Sequence, residues 1–276
     1  MTEFRDQNLS ETRFEEVNLD KSVFSRVSLK DARLRNINLS GAEFRAVLIE
    51  HSVWSGVELK DVRISGELIN VVVNGVDIGP LVDAELNRRM PERAKMRPES
   101  SEGFREAWEI LLRLWAGTLE RAKALPEELL HQSVDGEWSF IQTLRHLNFA
   151  SAAWINRMAL GEISPWHPLD LPWDEAPGWE GIPWNREARP SLEQVMAVRT
   201  ERQGRVGAFI KSLTEEQLGS AVTRTEPGWP RLEGFPLKEC LNTVLNEEWE
   251  HRLYAERDLA VLETLQKRGN SSWTSF

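Results

Sequence analysis

The sequence predicts a mixed two-domain chain, a short repeat domain followed by an all-α four-helix bundle. Three observations carry that prediction. A large apolar residue recurs at every fifth position near the N-terminus, helical periodicity replaces it from Pro91 onward, and four amphipathic stretches follow with one long irregular connection. At 276 residues, 41% of them hydrophobic, the chain can bury one large core or two ordinary ones.

The repeat is centred on Phe4, Leu9, Phe14, Leu19, Phe24, Leu29, Leu34, Leu39, Phe44, Ile49, Trp54, Leu59 and Ile64. Small or β-branched residues stand two places before most centres, among them Thr12, Val17, Ser22, Val27, Ala32 and Ile37. A period of five fits neither a helix nor a strand. It suits a chain that turns a corner every five residues, with the centre and the residue two before it pointing inward. The following "LINVVVNGVDIGPL" carries Asn-Gly between β-branched residues, a two-residue hairpin signal, and is expected to cap the repeat.

The helical half opens after the polar linker "ERAKMRPES". The first helix places Phe104, Trp108, Leu111, Leu112, Trp115 and Leu119 at three- and four-residue spacing and ends at Pro126. A second helix is predicted over about 139–160, with Phe140, Leu144, Leu147, Ser151, Trp154 and Met158 on one face and Gly161 as its stop. The long connection that follows is rich in proline, glycine and tryptophan and too apolar for a solvated linker. Ser191 with Gln194 forms a capping start for a third helix running to about Leu213. The fourth is predicted over roughly 237–266 and contains "VLNEEWEHRLY".

That last motif places five charged or titratable groups inside a helix whose core stripe is Leu237, Leu241, Val244, Ala255, Leu259 and Leu262. At about 100° per residue, Glu247 and His251 stack at the edge of the stripe. His146 occupies a similar margin on the second helix. A carboxylate and two imidazoles on facing helices can converge in a bundle core and hold a divalent metal, leaving one tetrahedral position open. Spacing alone leaves a second reading, in which Glu247 and His251 are a helix-surface ion pair. Glu248 and Arg252 are expected to neutralise one another, or to steer the imidazoles. Arg257, beside Asp258, either orients a ligand or forms a surface pair. His167 in "PWHP" is an acid/base or substrate-contacting candidate in a loop able to close over the site, and Trp166 and Trp173 are candidates for a pocket wall.

Composition narrows the function. A formal charge of −10 argues against a general nucleic-acid binder. Residues 1–86 carry 15 acidic and 10 basic side chains, a net of −5 without a continuous acidic stripe, so mimicry of DNA is disfavoured against a docking or dimerisation scaffold. The single cysteine, Cys240, precludes an intrachain disulfide and a cysteine-based zinc site. With no basic-then-apolar leader and no long apolar run, a soluble cytoplasmic protein without membrane partner is expected.

The "VNL" and "INL" triplets make the first segment resemble the pentapeptide-repeat family, which implies a right-handed quadrilateral β-helix over residues 1–68. Residues 69–99 are then a capping hairpin and linker, 100–268 the bundle and 269–276 a tail. "GEWSFIQTLRHLNFASAAWI", "PWHPLDLP" and "LNEEWEHRLYAERDL" resemble DinB-like four-helix metalloproteins, specifically the branch allied to mycothiol-dependent enzymes. The resemblance covers roughly 100–265. It implies His146, Glu247 and His251 as metal ligands, zinc first, with nickel, iron or manganese as substitutes. It further implies a low-molecular-weight thiol, mycothiol-like, as cosubstrate for transfer or isomerisation on a small electrophile. The chain departs from the mycothiol-dependent isomerases in its N-terminal repeats and in having no recognisable domain behind the bundle, which leaves the substrate open. A metal-dependent hydrolase of amides or esters, and a non-catalytic interaction module, are the alternatives.

Overall fold

The structure is a computed structural model that describes residues 3–179 and 181–272. It divides into two compact units, Met1–Ser65 and Gly66–Phe276.

In the first unit the five-residue period is written in the backbone. The angle φ is 52° at Asp6, 63° at Glu11 and 55° at Glu16, and the series continues through Arg26, Asn36, His51 and Asp61, with Gly41 and Gly56 at equivalent places. Left-handed residues recurring every fifth position turn the chain regularly, and Asn, Asp and Gly adopt that conformation most readily. Backbone bonds close alternate turns, Thr12 N–H to Leu9 O at 3.2 Å and Ser22 N–H to Leu19 O at 3.1 Å. Yet the apolar centres stay between 42% (Leu9) and 72% (Ile64) exposed, and residues 3–65 form no strand. The expected quadrilateral β-helix is therefore not what the structure shows. A turn is fixed locally by its own dihedrals, whereas burial of solenoid centres requires each coil to stack on the next.

The second unit opens with the expected hairpin, β1 (Val72–Val73) against β2 (Val76–Asp77), with Val73 opposite Val76. Asn74 at φ 51° and Gly75 at φ 84° supply the two left-handed residues that a tight antiparallel reversal needs. α1 (Gly79–Arg89) and a 3-10 turn (Pro91–Met96) follow, so the segment read as a polar linker is helical and buries Met96.

Four long helices make the bundle: α2 (Ser101–Lys123), α4 (Phe140–Ser151), α5 (Leu192–Ser212) and α7 (Leu237–Ser272), with short α3 (Glu127–Leu130) and α6 (Glu215–Leu218) between them. α2 packs on α5 and α7, and α4 packs on the same two. Three of them begin at a side-chain cap. Ser100 caps α2, and Ser139 with Gln142 and Ser191 with Gln194 form reciprocal capping boxes on α4 and α5. The apolar faces close the core: Phe104, Leu144, Val206 and Leu259 are fully enclosed, and the six residues of the α7 stripe are all buried. Leu112, by contrast, faces outward at 39% exposure.

Two features were not legible in the periodicity. The second helix changes register after Ser151 into a π-helical segment, Ala152–Ala159, whose wider turn is marked by Leu160 N–H bonding Ile155 O. A hairpin of β3 (Ala221–Arg224) and β4 (Leu232–Pro236) leads into α7. α7 itself reaches Ser272, through the first residues of the segment read as a tail, and residues 273–276 lie outside those described.

Buried guanidinium groups tie the irregular connection to the bundle. Arg145 donates to the carbonyls of Leu169 at 2.9 Å, Asn185 at 2.5 Å and Ala188 at 2.8 Å. Arg202 reaches Pro165 O at 2.9 Å and Asp170 Oδ2 at 3.1 Å. Another buried guanidinium, Arg199, joins two bundle helices instead: it makes a two-pronged pair with Glu248 of α7, 2.6 and 3.1 Å, against the ring of Trp115. Both partners are 1% exposed. Removing one leaves an uncompensated charge in the core, which costs about 3–5 kcal/mol, whereas apolar replacement of both does not. Glu248→Ala is expected to lower unfolding free energy by about that amount in a denaturant titration, and Arg199→Met with Glu248→Leu to recover most of the loss.

Candidate metal centre

The centre lies where α4 faces α7. His146 sits halfway along α4, 8% exposed, and its Nδ1 donates to Leu171 O at 3.0 Å. That bond sets the ring so that Nε2 points across to α7, the arrangement in which a carbonyl orients a metal-binding imidazole. Nε2 of His146 is 3.2 Å from Oε2 of Glu247, and Nε2 of His251, one turn further along α7, is 3.0 Å from the same oxygen. The three prospective donor atoms all lie within 4.8 Å of one another, the one such cluster of three among the described residues.

Electrostatics keep the carboxylate charged. Burial alone pushes the Glu247 carboxyl up, but hydrogen bonds from His146 and His251, reinforced by their charges, hold it well below the usual carboxylate range. Two imidazole nitrogens and one ionised carboxylate oxygen, gathered in a small space with one oriented from behind, form a donor set that fits a divalent ion such as zinc. Glu247 and His251 remain partly exposed, so the cluster opens toward solvent on one side.

Aromatic rings cover the rest. The Trp138 ring stands 4.6 Å from that of His146 and stacks at 13° on that of His251, 5.9 Å away. Its indole N–H donates to Asp174 Oδ1 at 3.0 Å, which ties it to the connection. Phe149 lies 6.4 Å from His146, and Tyr254 meets His251 edge-on at 5.8 Å. Sequence reasoning missed all three of these rings. The signal for Trp138 was its place directly before the Ser139 cap of the helix that carries His146. Phe149 and Tyr254 each stand three residues after an imidazole, one helical turn away.

The remaining candidates separate. Trp166 stacks on Phe149 at 5.5 Å, and Trp173 touches Phe149 edge-on at 6.4 Å, so both join the aromatic wall. Arg257 lies over the Tyr254 ring at 5.5 Å and donates to Asp258 at 2.7 Å. His167 is partly buried in the connection, its Nδ1 accepting from Leu169 N–H at 3.1 Å. The expected Glu248–Arg252 pair does not form. Glu248 is taken by Arg199 from α5, while Arg252 donates to Thr118 Oγ1 at 3.1 Å and lies 3.6 Å from Glu256. The wheel ranked partners along one helix and could not see a guanidinium arriving from another. A surface groove of about 790 Å³ along Lys123, Leu192, Met196 and Thr200 is lined by no residue of the cluster.

Cys240 lies outside the cluster. It is fully buried, and burial pushes its thiol up to about 12 from an ordinary 9.0.

Comparison with known families gives two matches. The family described as the DinB superfamily matches residues 110–255, and pentapeptide repeats match residues 8–45 in 8 copies. No curated protein and no solved structure matches the chain.

Zinc titration of metal-free protein, followed by elemental analysis, is expected to give one equivalent bound. His146→Ala and His251→Ala should each weaken binding by more than the 10- to 100-fold that loss of an outer hydrogen bond costs, roughly. Trp166→Ala should leave the stoichiometry unchanged. A folded thiol raised above its unfolded value stabilises the fold fully below the unfolded pKa and loses that contribution as pH rises through the folded value. Between about pH 9 and 12 the wild type should therefore lose up to about 1.4 kcal/mol per pH unit that Cys240→Ala retains, read from paired denaturant melts.

Proposed function

The chain belongs to the DinB superfamily, and from that premise we propose that it is a metal-dependent transferase or isomerase in which a low-molecular-weight thiol is joined to a small electrophile. The observation that carries the reading is the convergence of His146, Glu247 and His251 on one point, with a carboxylate held ionised and an open side. A divalent ion bound there, zinc first and nickel, iron or manganese as substitutes, supplies the positive charge that keeps a thiol sulfur ionised at neutral pH.

The chain's own groups have separable tasks in this scheme. Leu171 O fixes the His146 ring. Glu247 offsets positive charge between the two imidazoles. Trp138 and Phe149 exclude water from two sides, which strengthens every charge interaction within. The Leu169 N–H occupies Nδ1 of His167 and leaves Nε2 as the ring nitrogen free to exchange a proton or touch substrate, and His167 is assigned an acid/base or substrate-contacting role. Arg257, held above Tyr254, is assigned to the polar portion of the thiol, and Trp166 and Trp173 to the wall against which the substrates lie. Cys240, enclosed and protonated, leaves the nucleophilic sulfur to come from outside the chain. None of the described helices is long and apolar enough to cross a membrane.

Substituting cobalt and adding a small thiol tests the reading by absorption spectroscopy. A sulfur-to-cobalt charge-transfer band that saturates with mycothiol and is absent from His251→Ala is the expected result. Stoichiometric cobalt with no band at saturating thiol rejects thiol chemistry at this site.

A further inference from the structure

The two imidazoles of the centre are held in different ways. Behind His146, Nδ1 donates to Leu171 O at 3.0 Å, and a bond at that nitrogen fixes the plane of a ring whose Nε2 points elsewhere. His251 has no such partner at Nδ1 among the described residues. Its side chain makes one polar contact there, from Nε2 to Glu247 Oε2 at 3.0 Å. A contact through a single nitrogen sets where the tip of the ring lies and leaves the plane free to turn.

Aromatic contacts supply the second restraint. The Trp138 ring lies within 13° of parallel to that of His251, centroids 5.9 Å apart, and Tyr254 meets it edge-on at 87° and 5.8 Å. Both separations fall in the range of favourable ring pairing. Tyr254 is 45% exposed and stands one turn further along the same helix, so it moves with His251 and offers no outside reference. Trp138 comes from outside α7.

Three features fix Trp138 in turn. Before it, residues 134–137 form a tight turn closed by Glu137 N–H to Val134 O at 3.0 Å, with Asp135 at φ 51° and Gly136 at φ 74°. After it, Ser139 opens α4 through its capping box with Gln142, which sets the direction in which the chain enters the helix that carries His146. To its side, the indole N–H donates to Asp174 Oδ1 at 3.0 Å. Arg186 lies 3.7 Å from the same oxygen and donates to Trp173 O at 2.8 Å, so the acceptor is itself held in the connection. The same indole stands 4.6 Å from the His146 ring, tilted by 46°, and thus gives both imidazoles one reference.

We infer that Trp138 is a positioning residue for His251: its indole face holds the imidazole plane so that Nε2 stays directed at the point shared with His146 and Glu247. Exclusion of water needs only apolar bulk at this position, whereas orientation needs a flat face. That the orientation serves a metal rests on the reading of the centre given above; the orientation itself does not.

Two variants of the full-length chain separate these roles, Trp138→Leu keeping apolar bulk without a flat face and Trp138→Phe keeping both. Crystal structures of the metal-free variants are expected to show the His251 ring turned away from Glu247 in Trp138→Leu and in its wild-type place in Trp138→Phe. Zinc competition against a chromophoric chelator should find Trp138→Leu binding about ten-fold more weakly than wild type, the low end of what loss of an orienting partner costs. Trp138→Phe should bind within about two-fold of wild type, since ring pairing is retained. An unmoved His251 ring or unchanged zinc affinity in Trp138→Leu, or a displaced ring in Trp138→Phe, each overturns the assignment. A ring that moves in Trp138→Leu while wild-type protein binds no zinc supports the assignment and rejects the metal reading alone.

Discussion

One carboxylate oxygen, Oε2 of Glu247, stands 3.0 Å and 3.2 Å from imidazole nitrogens carried on two different helices. That contact demands that α4 and α7 meet in a single register, and the surrounding structure is arranged to supply it. The α7 stripe from Leu237 to Leu262 locks its helix against α2 and α4, while Leu144 and Leu147 do the same from the other side. A slip of one residue along α7 rotates Glu247 by about 100° and parts it from His146. The apolar packing sets the position, and the polar cluster depends on it.

The long connection between the second helix and α5 completes the centre from outside. It contributes Leu171 O behind His146 and Asp174 beside Trp138, yet the described residues of 161–190 form no regular secondary structure of their own. Such a segment keeps its shape only if its backbone groups find partners. Arg145 and Arg202, both from the bundle, provide them by donating to carbonyls of the connection, and Asp170 answers Arg202 while accepting from His167 N–H at 2.9 Å. Buried arginine is thus the means by which a loop becomes a fixed wall. The same device recurs at Arg157, which gathers the carbonyls of Ile163, Glu226 and Pro230.

Much of this was legible in residue order because it is set by local chemistry. The Asn74–Gly75 turn, the Ser191 capping box and the apolar stripe of α7 each follow from neighbours a few residues apart, and each stands in the structure as read. The grouping of His146 with Glu247 and His251 was also accessible, since margin positions on facing helices converge. What escaped depends on elements distant in sequence. Arg199 reaches Glu248 from another helix, Trp138 folds back over two imidazoles from a turn, and the π-helical register after Ser151 has no signature in hydrophobic spacing. In the repeat, the turn every five residues stands as read, whereas the expected stacking of coils does not, because stacking joins coils rather than neighbours.

The central claim is that these three side chains together form a metal-binding centre. Anomalous diffraction collected on either side of the zinc absorption edge, from crystals of zinc-loaded protein, tests it most directly. A single peak in coordination contact with Nε2 of His146, Nε2 of His251 and a carboxylate oxygen of Glu247 is the result this account predicts. A peak at any other place, or none in protein shown to contain zinc, contradicts it.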